Sequence, residues 1–205
     1  RRFPGTLEGA RALVPMARCM VSMGGENVQA AERTLRTILD GAEVFTPDAP
    51  EFADAMFLLG EVRLRLENFE GSISTLEEAL DRYPSDPRTL MSRFLLADAY
   101  RRSGLALRAE AKEAAFDAEL AQIRAESARR LAKARELYRE VVEEYADRPT
   151  SDLSPMERMG LRHAHLYEAD CYFDTQDYAR ALKLYEEAAG IYKDQPGGLA
   201  AYVQI

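Results

Sequence analysis

The sequence from Leu105 to Arg148 reads LALRAEAKEAAFDAELAQIRAESARRLAKARELYREVVEEYADR and contains neither Gly nor Pro in 44 residues. It is rich in Ala, Glu, Arg, Lys and Leu, which are strong helix formers. Because no residue in this stretch is a helix terminator, the pattern predicts one continuous helix over about 105–146. About 40 helical residues would extend roughly 60 Å, so this helix would join two other parts of the chain.

The composition is that of a folded, acidic protein. Of the 205 residues, 47% are apolar and 30% are charged, which is enough to build a core. Lys and Arg number 27 against 35 Asp and Glu, a net charge of −8, whereas nucleic-acid binding needs a basic surface. No apolar run reaches the roughly 18 residues that a membrane span requires. We therefore predict a soluble protein with no nucleic-acid partner and no membrane span, and its compartment stays open between cytoplasm and periplasm.

The sequence shows no pattern of catalytic or metal-binding residues. His163 and His165 are two residues apart, which places them on different faces of a helix, whereas a helical zinc pair is spaced i, i+4. Cys19 and Cys171 lie in opposite halves of the chain, and we expect both to be free, buried thiols. No Ser/His/Asp or Cys/His motif and no Gly-rich phosphate loop is present. We expect no metal, no cofactor and no enzymatic activity.

Two helices are predicted near the N-terminus. Apolar residues recur at helical spacing over 7–23 and again over 27–39. Gly24-Gly25 separates the two patterns, which therefore predict a helical hairpin. Pro15 interrupts the first pattern, so that helix either kinks there or begins close to this residue.

Residues 52–84 carry the signature of a particular helical hairpin. The residues that match it are Leu59, Gly60, Phe69, Ser72, Leu76, Ala79 and Pro84. This pattern resembles the tetratricopeptide repeat (TPR), in which small residues let two helices approach and large residues of the next hairpin fill the gaps. It departs from the repeat at Met56, where a Trp is usual, and at Arg63, where a Tyr is usual.

Two further units resemble the same repeat. In the second, Leu96-Ala97 stand at the Leu-Gly position, and Gly104 is predicted to end the first helix. Its second helix would be the long one, lengthened by a helical insertion, with the small and large residues resuming at Ala134. The third begins at Ser154, which together with Glu157 forms the capping box of a helix start.

The resemblance implies an all-α fold, a TPR-like helical-hairpin solenoid with one long helix, about 105–146, joining two groups of hairpins. The predicted organisation is N-terminal hairpins over 1–120, the connecting helix over 105–148 and a C-terminal TPR-like unit over 149–205. The chain lacks an initial Met and ends in an apolar stretch over 199–205, so we expect the last unit to be truncated. The sequence also resembles bacterial TPR scaffold proteins of the cell envelope.

Proteins of this family hold peptides on a concave face that is lined by the first helices of the repeats. The resemblance implies a groove of aromatic, apolar and charged residues. These are Phe57, Glu61, Leu64, Arg65, Phe94, Asp98, Arg101, Arg102, His163, Leu166, Asp170 and Phe173. Some relatives clamp a C-terminal carboxylate with Lys and Asn, but here Phe57, Phe94 and Leu166 stand at the Lys places and acids at the Asn places. We therefore expect an apolar or basic segment in the groove.

The predicted function is a non-enzymatic protein–protein interaction scaffold that binds a protein or peptide partner. The alternative is a structural module that self-associates as a homo-oligomer through the long helix. On one side of this helix, apolar residues recur at spacings of three and four, close to the heptad seam of a coiled coil. The seam residues are Phe116, Leu120, Ile123, Ser127, Leu131, Ala134, Tyr138, Val141 and Tyr145.

Overall fold

The computed structural model describes residues 11–41, 46–111, 117–146 and 148–193. Every regular element in these ranges is helical. The helices are α1 (Leu13–Met23), α2 (Glu26–Asp40), α3 (Pro50–Arg65), α4 (Phe69–Arg82), α5 (Thr89–Glu110), α6 (Asp117–Ala146), α7 (Pro155–Asp174) and α8 (Tyr178–Ile191), with a short 3-10 turn at Thr150–Asp152. The all-α prediction is confirmed over the described part of the chain.

The chain divides into two compact units, residues 1–95 and 96–205, and the boundary falls within α5. In the first unit α1 packs on α2, α2 on α3, and α3 on α4. In the second unit α6 packs on α7, and α7 packs on α8. Short connections between neighbouring helices make them antiparallel pairs.

The predicted N-terminal hairpin of α1 and α2 is confirmed. Pro15 is the third residue of α1, where the missing N–H removes no helical hydrogen bond. Gly24 and Gly25 join the helices with φ of 70° and 58°, a conformation that favours glycine. Both cysteines are free, but Cys19 is exposed, so the prediction of burial is correct only for Cys171.

A close contact at Gly60 holds α3 against α4. Ser72 Oγ donates a hydrogen bond to the Gly60 carbonyl at 2.8 Å. A Cβ on Gly60 would lie only 2.4 Å from Cδ2 of the buried Leu76. The glycine of the Leu-Gly pair thus lets α3 and α4 approach closely, because a Cβ here would overlap the Leu76 side chain.

The turn between α3 and α4 recurs between α7 and α8. Glu67 and Gln176 adopt positive φ of 59° and 65°. The next residue in each turn, Asn68 or Asp177, accepts a hydrogen bond from the backbone N–H three residues further on and so caps the following helix. These matching positions lie 109 residues apart in the sequence. The third predicted hairpin is thus a copy of the first clear one, and the predicted capping box at Ser154 is also present.

The single long helix predicted over 105–148 is wrong. α5 and α6 are separate helices, and Ala111 forms a turn after α5. Ser127 Oγ donates to the Gly104 carbonyl at 2.7 Å across 23 residues of sequence, a separation that would be roughly 35 Å along one straight helix. Tyr138 lies beside Asp98, with 3.4 Å between the hydroxyl and the carboxylate. α5 and α6 therefore form an antiparallel hairpin. Residues 112–116 and 147 of the predicted helix lie outside the described residues.

Gly104 lies inside α5 and does not end it. A Cβ at Gly104 would lie 3.0 Å from Leu131 Cγ and 3.2 Å from the Ser127 carbonyl oxygen. The glycine, the serine and the leucine thus have the roles that Gly60, Ser72 and Leu76 have in the first clear hairpin. The second repeat is therefore aligned on Gly104, seven residues beyond the predicted Ala97.

The predicted self-association seam is buried inside the second unit. Its buried residues are Ser127, Leu131, Ala134, Tyr138, Val141 and Tyr145. Phe116 lies outside the described residues. These six side chains pack within their own chain, whereas Leu120 and Ile123 of the seam are half-buried, so internal packing occupies most of the seam.

The contact at Gly60 predicts a stability difference between two glycine substitutions. Gly60→Ala should destabilise the protein by about 1–3 kcal/mol, because its Cβ overlaps Leu76. Gly190→Ala in α8 is the control, since nothing lies within 4 Å of a Cβ there. This change should be neutral or slightly stabilising. Urea unfolding followed by circular dichroism measures both, and equal stability of the two variants would contradict the close contact.

Candidate functional site

In the first unit, three of the predicted groove residues belong to the interior. Phe57, Leu64 and Phe94 are only 5%, 4% and 8% exposed. The Phe57 ring packs on Tyr83 with 6.2 Å between ring centroids, and the Arg88 guanidinium lies 4.8 Å above it. These side chains stabilise helix packing, and little of their surface is open to a partner.

Glu61 and Arg65 remain at the surface of α3 and bind each other. Their side chains form an i, i+4 ion pair at 2.7 Å, so their charges are largely compensated. Glu61 also lines a cavity of about 150 Å³ together with Phe57 and residues of α1 and α5. This cavity is smaller than ordinary ligand pockets of about 300 Å³ or more.

In the second unit, groove residues predicted on α5 and α7 come together around Tyr167. The Arg101 guanidinium lies 4.1 Å above the Tyr167 ring, the geometry of a cation–π interaction. Asp98 binds Arg101 at 3.2 Å. The buried Tyr138 completes the cluster, with its ring edge to face against Tyr167 and 5.8 Å between the two ring centroids. Burial and the neighbouring Asp98 raise the pKa of Tyr138 well above its usual value, so it is a neutral hydrogen-bonding group.

Arg101 is held in place by the other residues of this cluster. Burial opposes its charge, but Tyr138 and Asp98 outweigh burial and raise the pKa of Arg101. Its Nε is buried and has no hydrogen-bond partner among the described residues. Its neighbour Arg102 is half-buried. Arg101 therefore positions Tyr167 and Asp98 more than it offers a free charge to a ligand.

The predicted residues of α7 divide between the surface and the interior. His163 stacks on Tyr167 with 5.3 Å between centroids, and burial together with Arg162 lowers its pKa. Asp170 accepts a hydrogen bond from the Tyr185 hydroxyl, and burial raises the pKa of the carboxyl group. Leu166 packs against the core between α7 and α8. Asp98 and Asp170 are thus bound internally, so neither is free to set the charge preference of a groove.

Phe173 is the predicted aromatic residue that lies at the surface. It is 48% exposed, and the neighbouring Tyr178 is 55% exposed. The two rings meet edge to face, with 5.4 Å between centroids. Together they form an exposed aromatic pair at the turn between α7 and α8.

In the structure, the second repeat is shifted by seven residues from its predicted alignment, and two residues join those predicted for the groove. Alignment on Gly104 makes Arg101, and not Phe94, the equivalent of Phe57. Tyr167 and Tyr138, which the prediction missed, stand at the centre of the cluster. Tyr167 lies four residues after His163, a spacing that places the two side chains together on a helix.

The two histidines are separated, as their spacing predicted. His165 faces the interior, where its Nδ1 lies 3.0 Å from the Leu161 carbonyl oxygen and 3.0 Å from the Tyr192 hydroxyl. Among the described residues no group of three His, Cys, Asp or Glu side chains could hold a metal ion. In the same part of the chain, no helix is both long and apolar enough to cross a membrane.

The family follows from sequence matches that agree with these hairpins. The tetratricopeptide repeat model matches residues 23–87, 63–119 and 161–196. These matches cover more than half of the chain, which therefore belongs to the tetratricopeptide repeat family. Repeats of this family indicate a protein–protein interaction module. No curated protein matches the sequence.

Solved structures agree with the fold. One is a crystal structure of nearly identical TPR-like repeats from a Podosopora anserina protein described as a kinesin light chain, with 18% identity and a TM-score of 0.66. The match covers 96% of this chain and 83% of that one. A variant of the same protein matches at 18% identity with a TM-score of 0.65, covering 95% and 82%. At this identity the likeness shows the fold alone.

The burial of His165 predicts a pH-dependent stability. Burial lowers its pKa in the folded protein, although the Leu161 carbonyl and Glu187 act in the opposite direction. The unfolded chain, with a histidine pKa near 6.5, therefore binds the proton more readily, and stability falls as the pH drops below about 6.5.

The measurement compares His163→Gln with the double variant His163→Gln/His165→Gln, because the chain has only two histidines. Urea unfolding at pH 7.5 and 5.5 should show their stability difference shrinking by up to about 1 kcal/mol at the lower pH. A difference that stays constant or grows would show that His165 is not held neutral.

Proposed function

We propose that this protein is a scaffold that binds an apolar or basic segment of a partner protein through the exposed aromatic pair Phe173 and Tyr178. The observation that carries the proposal is that both rings lie side by side with about half of each exposed. Aromatic side chains at a surface supply large contact area at a small loss of conformational entropy. They are frequent anchors of protein interfaces.

The surroundings of the pair favour apolar or cationic groups over anionic ones. The ring faces carry partial negative charge and attract Lys or Arg side chains. Asp174 follows Phe173 and Asp177 precedes Tyr178 in the sequence. Asp174 binds Arg108 at 2.7 Å, whereas Asp177 forms a longer, exposed contact with Arg180 at 3.4 Å. Asp177 is therefore the acid of this turn with most charge left for a partner.

The remaining predicted residues have supporting roles in this proposal. The cluster of Arg101, His163 and Tyr167 gives a rigid half-buried surface along α5 and α7. Arg102 lies next to it, and the Glu61–Arg65 pair forms a separate surface of the first unit. We propose that the activity is binding and not catalysis, in keeping with a family whose members are typically non-catalytic interaction modules.

The role of Phe173 is tested with a selected peptide ligand. A random peptide library displayed on phage is selected against the whole chain, and binding is then measured with a synthetic peptide. Phe173→Ala should weaken binding about thirtyfold, the loss of roughly 2 kcal/mol expected at an aromatic anchor. The matched control is Ile191→Ala in α8, an equally exposed apolar side chain, 57% exposed.

A selected consensus of apolar and basic residues together with unchanged binding by Ile191→Ala would support the proposal. An acidic consensus, or equal affinities of Phe173→Ala and the parent protein, would refute it.

The contribution of charge is tested at Asp177. Asp177→Ser removes the carboxylate but keeps a side chain that caps α8 well. A basic peptide should then associate more slowly, and its association rate should depend less on salt. Stopped-flow binding at two ionic strengths measures this, with Asp81→Ser in α4 of the first unit as the control. An unchanged salt dependence would exclude Asp177 from the binding surface.

A further inference from the structure

The second hairpin differs from the first clear one at three matching positions. Alignment of Gly104 with Gly60 and of Ser127 with Ser72 also pairs other residues of the two hairpins. Arg108 corresponds to Leu64, Arg124 to Phe69 and Ala128 to Ile73. Three apolar side chains of the first hairpin are thus replaced by two cations and one methyl group.

These replacements coincide with a cavity in the second unit. Leu64 and Ile73 are 4% and 7% exposed in the first hairpin. In the second hairpin, a cavity of about 570 Å³ is lined by Arg108, Arg124, Ala128, Leu131 and the turn at Asp174–Gln176. This volume is within the range of about 300–1,000 Å³ that is usual for small-ligand pockets. The shorter side chain of Ala128, at the position of Ile73, leaves part of this space open.

The two arginines that line this cavity differ in whether their charge is paired. Arg108 binds the Asp174 carboxylate at 2.7 Å and the Asp174 carbonyl oxygen at 3.0 Å. Arg124 also lines the cavity, and it has no partner among the described residues. Among the described residues that line the cavity, two cations and one anion leave one positive charge, carried by Arg124. The apolar part of the lining is formed by the buried Leu131 and the exposed Ala128.

We propose that this cavity binds a carboxylate on a short aliphatic stem. Arg124 donates two hydrogen bonds to the carboxylate, because the guanidinium matches its planar geometry. Leu131 and the methyl group of Ala128 contact the stem in the space that Ile73 fills in the first hairpin. The ion pair with Asp174 holds Arg108 as a fixed wall of the cavity. The site adjoins the exposed aromatic pair at the turn Asp174–Gln176, but neither Phe173 nor Tyr178 lines the cavity, so the proposal does not depend on their role.

The probe is 4-methylpentanoate, and 4-methylpentanamide is its uncharged match. Titration of the whole ¹⁵N-labelled chain, followed by NMR, detects binding even in the millimolar range. The acid should shift the signals of Ser127–Leu131 and Asp174–Gln176, and the amide should bind at least tenfold more weakly. Arg124→Gln should weaken binding of the acid at least tenfold.

Two further variants separate the cavity from general effects of charge. Ala128→Ile restores the side chain of the first hairpin and should abolish binding by filling the cavity, with an unchanged circular dichroism spectrum. Arg129→Gln removes an exposed cation of the same helix that does not line the cavity. It should bind the acid as the parent does.

No shift by the acid, equal binding of acid and amide, or full binding by Ala128→Ile would overturn the proposal. The tripeptides acetyl-Ala-Glu-Ala-amide and acetyl-Ala-Gln-Ala-amide distinguish the source of the carboxylate. Tighter binding of the Glu peptide than of the free acid assigns the site to a partner's side chain. Binding of the free acid alone assigns it to a small molecule, and both results support the carboxylate site.

Discussion

The close approach of two helix backbones, at points where only a small residue fits, determines the geometry of the hairpins. A Cβ added to Gly60 or Gly104 would lie closer to a leucine side chain than an ordinary van der Waals contact. A serine hydroxyl donates a hydrogen bond to the carbonyl of each glycine. In the third hairpin the matching pair is Ala169 and Ala181, both almost fully buried. The inner contact therefore tolerates only small residues, and the hydroxyl stabilises the pair without occupying extra volume.

The position four residues after Gly60, Gly104 or Ala169 has a different role in each of the three hairpins. Leu64 is buried, Arg108 is an ion-paired wall of a cavity, and Phe173 is exposed at the surface. Because the inner contact alone fixes the hairpin, these outer positions can change without changing the fold. Binding specificity is therefore encoded in residues that the repeat signature does not constrain, which is why family membership alone does not identify the partner.

The helix ends were predicted correctly where the sequence has residues that are typical of turns and caps. The end of α5, which has no such residue, was not predicted. Gly24-Gly25 and the capping box at Ser154 were recognised because particular residues are needed there. The break after α5 was missed because Ala111 and its neighbours are good helix formers, and packing of Ser127 on Gly104 overrides that local preference. The register error of seven residues is almost two helical turns, so the predicted face was nearly right. Burial of Phe57 could not be predicted, because helical spacing does not distinguish a core aromatic from an exposed one.

The hydrogen bonds between serine and glycine also bear on the order in which the chain folds. Ser72 and Gly60 are 12 residues apart, whereas Ser127 and Gly104 are 23 apart. Closing the longer loop costs roughly 0.6 kcal/mol more conformational entropy. The contact order is low in both cases, which favours rapid folding. The α3–α4 hairpin thus has the smaller entropic barrier and can serve as an early nucleus, to which the α5–α6 hairpin adds later.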